Sequence, residues 1–192
     1  MRDLIAALNE TSWSIALRES LYVWPILEAT HVLTIMLFAG TIMMVDLRLL
    51  SIGFRDIPVS EMTRRILPWT VAGFIVLAAT GLLLLYAKPL HYYHNVFFRL
   101  KLLLLCAALA NIIYFHRKAE ADMAAWASGK APFAARASAV ISLCAWVSVI
   151  IAGRMIAYDW YDCSKLNPDG ALSAFADCPR SSEAVAEAAA RE

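Results

Sequence analysis

The stretch YAKPLHYYHNVFFRLKLLLLCAALANIIYFHR, residues 86–117, decides the fold. Its 95–114 part is apolar for about 20 residues, the length an α-helix needs to cross the hydrocarbon of a bilayer. Arg99 and Lys101 stand just inside that run, where a charge near the bilayer centre costs about 2.5–3.5 kcal/mol on insertion scales. Three further runs of spanning length occupy residues 21–47, 68–87 and 137–158. The 192-residue chain is 61% hydrophobic, well above the roughly 45–50% of soluble domains. These features predict an all-α integral membrane protein, an antiparallel four-helix bundle whose spans are joined by short links. Three regions follow: an interfacial amphipathic segment (1–20), a four-span bundle (21–158) and an extracytoplasmic polar tail (159–192).

The first twenty residues lack a signal-peptide pattern, because Asp3 and Glu10 interrupt a short apolar stretch and no small-residue cleavage site follows. Leu4, Ile5 and Leu8 share one helical face, which predicts a short helix lying on the membrane surface. Orientation follows from cations. Arg48, Arg55, Arg64 and Arg65 lie between spans one and two, and Arg117, Lys118, Lys130 and Arg136 between spans three and four. Lys88 is the one clear loop cation of the remaining link. The excess of Arg and Lys on cytoplasmic loops therefore places both termini outside the cytoplasm of a bacterial inner membrane.

In that compartment Cys163 and Cys178, which flank a Pro- and Gly-containing loop, are expected to form a disulfide. Cys106 and Cys144 fall within spans and are expected to pack as small apolar residues. Pro68 is expected to open span two, and Pro25 to kink the start of span one. Gly73 and Gly81, with Ala78, Ala79 and Thr80, give span two a face for close helix approach. Asp46 and Arg48, two residues apart, point to different faces, so Asp46 is expected to meet a cation from elsewhere, such as Arg117.

Depth along the spans, at about 1.5 Å per residue, brings Glu28, His31, Arg99, Lys101 and Arg154 to one layer of the outer half. Glu28 and His31, at i and i+3, share a helix face. Three cations against one carboxylate leave a surplus of positive charge that a low-dielectric site does not hold without an anionic partner. An intramembrane imidazole with cations at its level suits heme b: His31 as the iron ligand, with Arg99, Lys101 or Arg154 at the propionates. The alternative is a salt-bridge network that only locks the helices together. His94 sits at the outer rim as a further candidate ligand. His116 lies roughly 18 Å deeper and could serve only a second heme. The absence of CxxC and CxxCH excludes covalent heme and a thiolate zinc site, and no glycine-rich phosphate loop or nucleophile elbow is present. No basic arm or aromatic motif points to nucleic acid.

The segments WPILEATH, GTIMMVDLRLL, RRILPWT, ATGLLL, FFRLKLLLLCAALANIIYFHR and AGRMIAY resemble a family of bacterial four-span membrane proteins of unassigned function, over residues 13–158. More distantly, His31 followed by AG and DLRLL, then RLKLLL and FH, resembles the membrane protoporphyrinogen IX oxidase of heme b type and the copper-resistance protein D type of membrane domain. In that oxidase family a first-span histidine and third-span basic residues are associated with heme or porphyrin, which implies His31, Arg99 and Lys101 here. The aromatic-rich stretch that follows the oxidase histidine is replaced by LTIMLFAGTIMMVDLRLL, so the resemblance implies heme holding or electron transfer rather than porphyrinogen oxidation. The expected function is a heme b-binding membrane protein, an electron-transfer or oxidoreductase subunit. Its partners would be the lipid bilayer, a quinone or a periplasmic redox protein, and a second copy or a larger membrane complex. The alternatives are a small-anion or metal transport protein and a membrane anchor or accessory subunit.

Overall fold

The computed structural model describes residues 2–118, 131–158, 161, 163 and 165–178. Lys130, Trp160 and the Ala/Glu-rich end at 181–192 lie outside the described residues. The described residues form α1 (Arg2–Asn9), α2 (Ser12–Glu19), α3 (Val23–Leu49), α4 (Val59–Ala87), α5 (Pro89–Tyr93), α6 (Val96–Lys118), α7 (Phe133–Ala157) and α8 (Ala171–Phe175). Among them α3, α4, α6 and α7 are long and apolar enough to cross a membrane. The protein is an all-α four-helix membrane bundle.

The four spans are not equivalent. Helix α3 packs on α4, α6 packs on α7, and the two pairs join through α3 and α7. A stripe of Ala135, Ser138, Ala139, Ser142, Ala145 and Ala152 is buried on α7. Small residues let neighbouring backbones approach where no hydrophobic force pulls helices together, so α7 becomes a central helix. Phe38 of α3 fills the middle of the bundle. It stacks edge-on against Trp146 of α7 at 4.9 Å and tilts against Phe74 of α4 at 5.7 Å. Gly73 backs Phe38, and an added Cβ there would stand 3.4 Å from the phenylalanine Cβ. Helices α4 and α6 are not a closely packed pair. Large apolar side chains exposed on both, such as Leu82 and Leu103, suit contact with lipid tails.

Some expectations from the sequence change. Helix α4 starts at Val59 rather than at Pro68, which lies inside it. Arg64 and Arg65 read as loop residues, yet a helix can continue in polar form once it leaves the hydrocarbon. Arg65 confirms helical spacing by pairing with Glu61 at 2.6 Å. Pro25 sits in the first turn of α3, where a missing N–H costs nothing, and the helix runs unbroken from Val23. Cys106 and Cys144 are exposed on their spans and do not pack in the core. Ala78 and Ala79 are exposed likewise, so the close-approach face of α4 runs through Gly73, Thr80 and Gly81.

One end of the bundle is capped by the segments outside the spans. The N-terminal segment is two helices, broken at Glu10–Thr11, and not one. Thr11 caps α2 by accepting from Ser14 N at 3.3 Å, and its hydroxyl meets Tyr86 Oη at 2.9 Å. Ser14, fully buried, donates to Ala87 O at 3.0 Å, which satisfies a carbonyl left over at the end of α4. At the opposite end the buried Arg48 donates through Nε to Ile57 O at 2.6 Å and straps the α3–α4 loop.

Candidate functional site

His31 lies on α3 about 12 Å from the capped end, by helix rise. Its Nδ1 is 2.8 Å from Thr80 Oγ1 on α4. The threonine hydroxyl has one proton, and Val76 O at 2.8 Å takes it, with Leu77 O at 3.1 Å sharing the bond. In the tautomer in which that proton stays directed at Val76 O, Thr80 Oγ1 accepts from His31 Nδ1–H and the Nε2 lone pair is unused by this contact. Gly81 stands under the ring: a Cβ there would come within 3.2 Å of His31 Cε1. From α6, Lys101 is close enough for its charge to act on His31. Its Nζ lies beside Gly153 of α7, 3.8 Å from where a Cβ would stand. Two glycines thus give room to the two polar side chains of the layer. Each of the four spans contributes a residue.

The rest of the expected constellation is placed elsewhere. Glu28 is exposed, so the shared face with His31 does not bring it inward. Arg154 is also exposed and donates to Tyr158 Oη at 2.9 Å, one turn along its own helix. Arg99 turns to the cap, where its Nε donates to Tyr93 O at 3.3 Å and its guanidinium lies over the Tyr93 ring at 4.9 Å. His94 is bound into the same cap, with Nδ1 3.3 Å from Ala176 O. His116 is exposed at the other end of α6, its Nδ1 3.1 Å from Ile112 O, about 22 Å from Lys101 by helix rise. The positive surplus expected around His31 therefore reduces to Lys101. Among the described residues no group of three His, Cys, Asp or Glu side chains forms a metal site, so a bound metal would need a ligand set built around one imidazole.

The tail closes over the start of α6. Cys163 and Cys178 are joined in a disulfide, and Cys178 N donates to Ser173 O at 2.9 Å. Tyr93 Oη donates to Asp177 Oδ2 at 2.7 Å. Phe97 and Tyr161 add an edge-on contact at 5.4 Å.

Asp46 does not meet Arg117, which is exposed. It is buried beside Ser142 of α7, to which it hydrogen-bonds, and its Oδ2 has no partner. A second polar pair joins α6 to α7 at this end: Asn111 Nδ2 donates to Ser138 O, and Ser138 Oγ to Asn111 Oδ1, both at 3.0 Å.

Sequence reasoning missed Thr80 as the partner of His31 and the pairing of glycines with the two polar side chains. A threonine next to a glycine on a small-residue face was the available signal. No curated protein and no solved structure matches the chain. The four spans on which the His31 layer is built, residues 21–159, match one family model as a unit, and the chain belongs to that family, described as a family of unknown function (DUF6644).

Proposed function

We propose that the chain is a heme b-binding membrane protein in which His31 supplies the axial nitrogen, acting in electron transfer or as an oxidoreductase subunit. The observation that carries the reading is the His31–Thr80 bond. Ligating imidazoles characteristically donate their second N–H to a fixed acceptor, which sets tautomer and ring orientation. His31 has that arrangement inside a membrane bundle, with Nε2 left for iron. Lys101 is the cation at the same layer and would neutralise a propionate. Gly81 leaves the space the ring occupies, since a Cβ there would come within 3.2 Å of His31 Cε1. Heme, when bound, supplies a one-electron couple. His31 would hold it and Thr80 would orient the imidazole.

Arg48, Arg55, Arg64, Arg65, Arg117 and Arg136 all stand at the α3–α4 and α6–α7 ends of the spans, in the connections or the helix turns beside them, which supports a bacterial cytoplasmic membrane with both termini outside the cytoplasm. The disulfide supports the same side for the cap. A quinone or a periplasmic protein would then exchange electrons at the capped end.

The test is a pyridine hemochrome assay on protein expressed with heme supply and purified in detergent. The expected result is a Soret band with reducible α and β bands. His31→Ala should lose most of the heme while the four spans stay inserted, because insertion follows hydrophobicity. Added imidazole should restore part of the spectrum. A folded but colourless wild type, or wild-type heme content in His31→Ala, overturns the assignment.

A further inference from the structure

Among the described residues, two hydrogen-bond donors at the start of α6 are buried with no acceptor. Asn95 is fully buried, and its Oδ1 caps the helix by accepting from Phe98 N at 3.2 Å. Its Nδ2 is buried and has no partner. Arg99, one turn on, has the same defect at Nη2. Residues at i and i+4 are neighbours on a helix surface. The Arg99 side chain runs back toward the start of the helix, since its Nε reaches Tyr93 O. The guanidinium therefore lies back toward the first turn of α6, one helical turn from Asn95 in sequence. The rings of Tyr93 and Phe175 flank it at 4.9 and 5.8 Å.

Leaving a buried donor unmade costs about 1–3 kcal/mol, and more for a charged group. Buried polar groups in folded proteins are nearly always satisfied, so two orphan donors one turn apart call for an acceptor that the described residues do not supply. A guanidinium, an amide N–H₂ and the N-terminus of a 23-residue helix with its positive dipole end favour negative charge at this spot. Asp177 is engaged by the Tyr93 hydroxyl. Lys101, two residues beyond Arg99, faces the bundle interior and belongs to the His31 layer.

We propose that Asn95 and Arg99 form a binding site for a phosphate-type oxyanion at the capped end of the bundle, roofed by the disulfide-closed tail. The site stands at the level where headgroups meet the span ends, so its oxyanion comes either from the phosphate of an anionic lipid or from free phosphate. It uses neither His31 nor Thr80 and does not rest on the heme reading.

The experiment uses the intact, oxidised protein, stripped of lipid in phosphate-free detergent buffer, with thermal unfolding as readout. One arm titrates inorganic phosphate against chloride at equal ionic strength. The other titrates short-chain phosphatidylglycerol against short-chain phosphatidylcholine. A raised unfolding midpoint with inorganic phosphate identifies a free oxyanion; a rise with phosphatidylglycerol alone identifies a lipid headgroup. Both support the site. Arg99→Gln should weaken the apparent affinity about 10-fold to 100-fold, the value of one charge-assisted hydrogen bond. Asn95→Asp is the sharper variant. It keeps the capping oxygen and brings its own negative charge to Arg99. Its midpoint without ligand should equal or exceed that of wild type, and its response to either ligand should vanish. No response of the wild type in either arm, or unchanged affinity in both variants, overturns the proposal.

Discussion

Thr80 decides which nitrogen of His31 is available, and its own backbone decides what Thr80 can do. With its proton directed at Val76 O, the hydroxyl accepts from the ring. Thr80→Val keeps shape and removes the acceptor; Thr80→Ser keeps the acceptor. Heme titration should show affinity about 10–100-fold weaker for Thr80→Val and close to wild type for Thr80→Ser, the usual effect of removing a group that orients a ligand. Equal losses in both would mean that the methyl group matters and the hydrogen bond does not. At this scale the sequence was only partly legible. Depth along a span follows from counting residues, but the direction of a side chain around the helix does not. Glu28 and Arg154 lie at the right depth and face outward. Arg99 and Lys101, two positions apart, diverge: one reaches into the cap and the other toward the bundle interior.

Among the elements, the four spans were legible because a bilayer reads composition, and length plus hydropathy is nearly all that insertion requires. Their ends were less so. Arg64 and Arg65 disguise two turns of α4, since polarity marks the edge of hydrocarbon and not the end of a helix. The small elements at the cap depend on tertiary contacts. The five-residue α5 and α8 are too short to persist alone and are held by bonds such as Tyr93–Asp177. Asp177 accepts the phenol proton and thereby raises Tyr93 above its ordinary value near 10. A raised value in the folded state means that the contribution is complete below the ordinary value and is lost as pH climbs through the raised one. The ultraviolet titration of tyrosine should contain one late component that disappears in Tyr93→Phe. The tail should become more accessible to protease above about pH 10 in wild type, whereas in Tyr93→Phe its accessibility should no longer change there. An unchanged titration curve in Tyr93→Phe would remove this contact from the account.

For the whole molecule, a bundle inside the membrane carries a cap built from both ends of the chain. The disulfide spans a sequence separation of 15 residues, for which loop closure predicts about 3 kcal/mol. Reduction, or Cys163→Ser, should therefore expose the 165–178 segment to hydrogen exchange while α3 and α7 keep their protection. Simultaneous loss across all four spans would show that the cap and the bundle unfold as one unit. The cap also imposes an order in time. Ser14 waits for Ala87, which is made 73 residues later. At about 5–20 residues per second, α1 and α2 stand undocked for roughly 4–15 s of synthesis. The roof over Asn95 and Arg99 comes later still, once Cys178 has emerged and been oxidised. The growing chain thus passes through a stage in which its spans are in place and the mouth of the bundle is open, and whatever binds beneath the roof has that interval in which to enter.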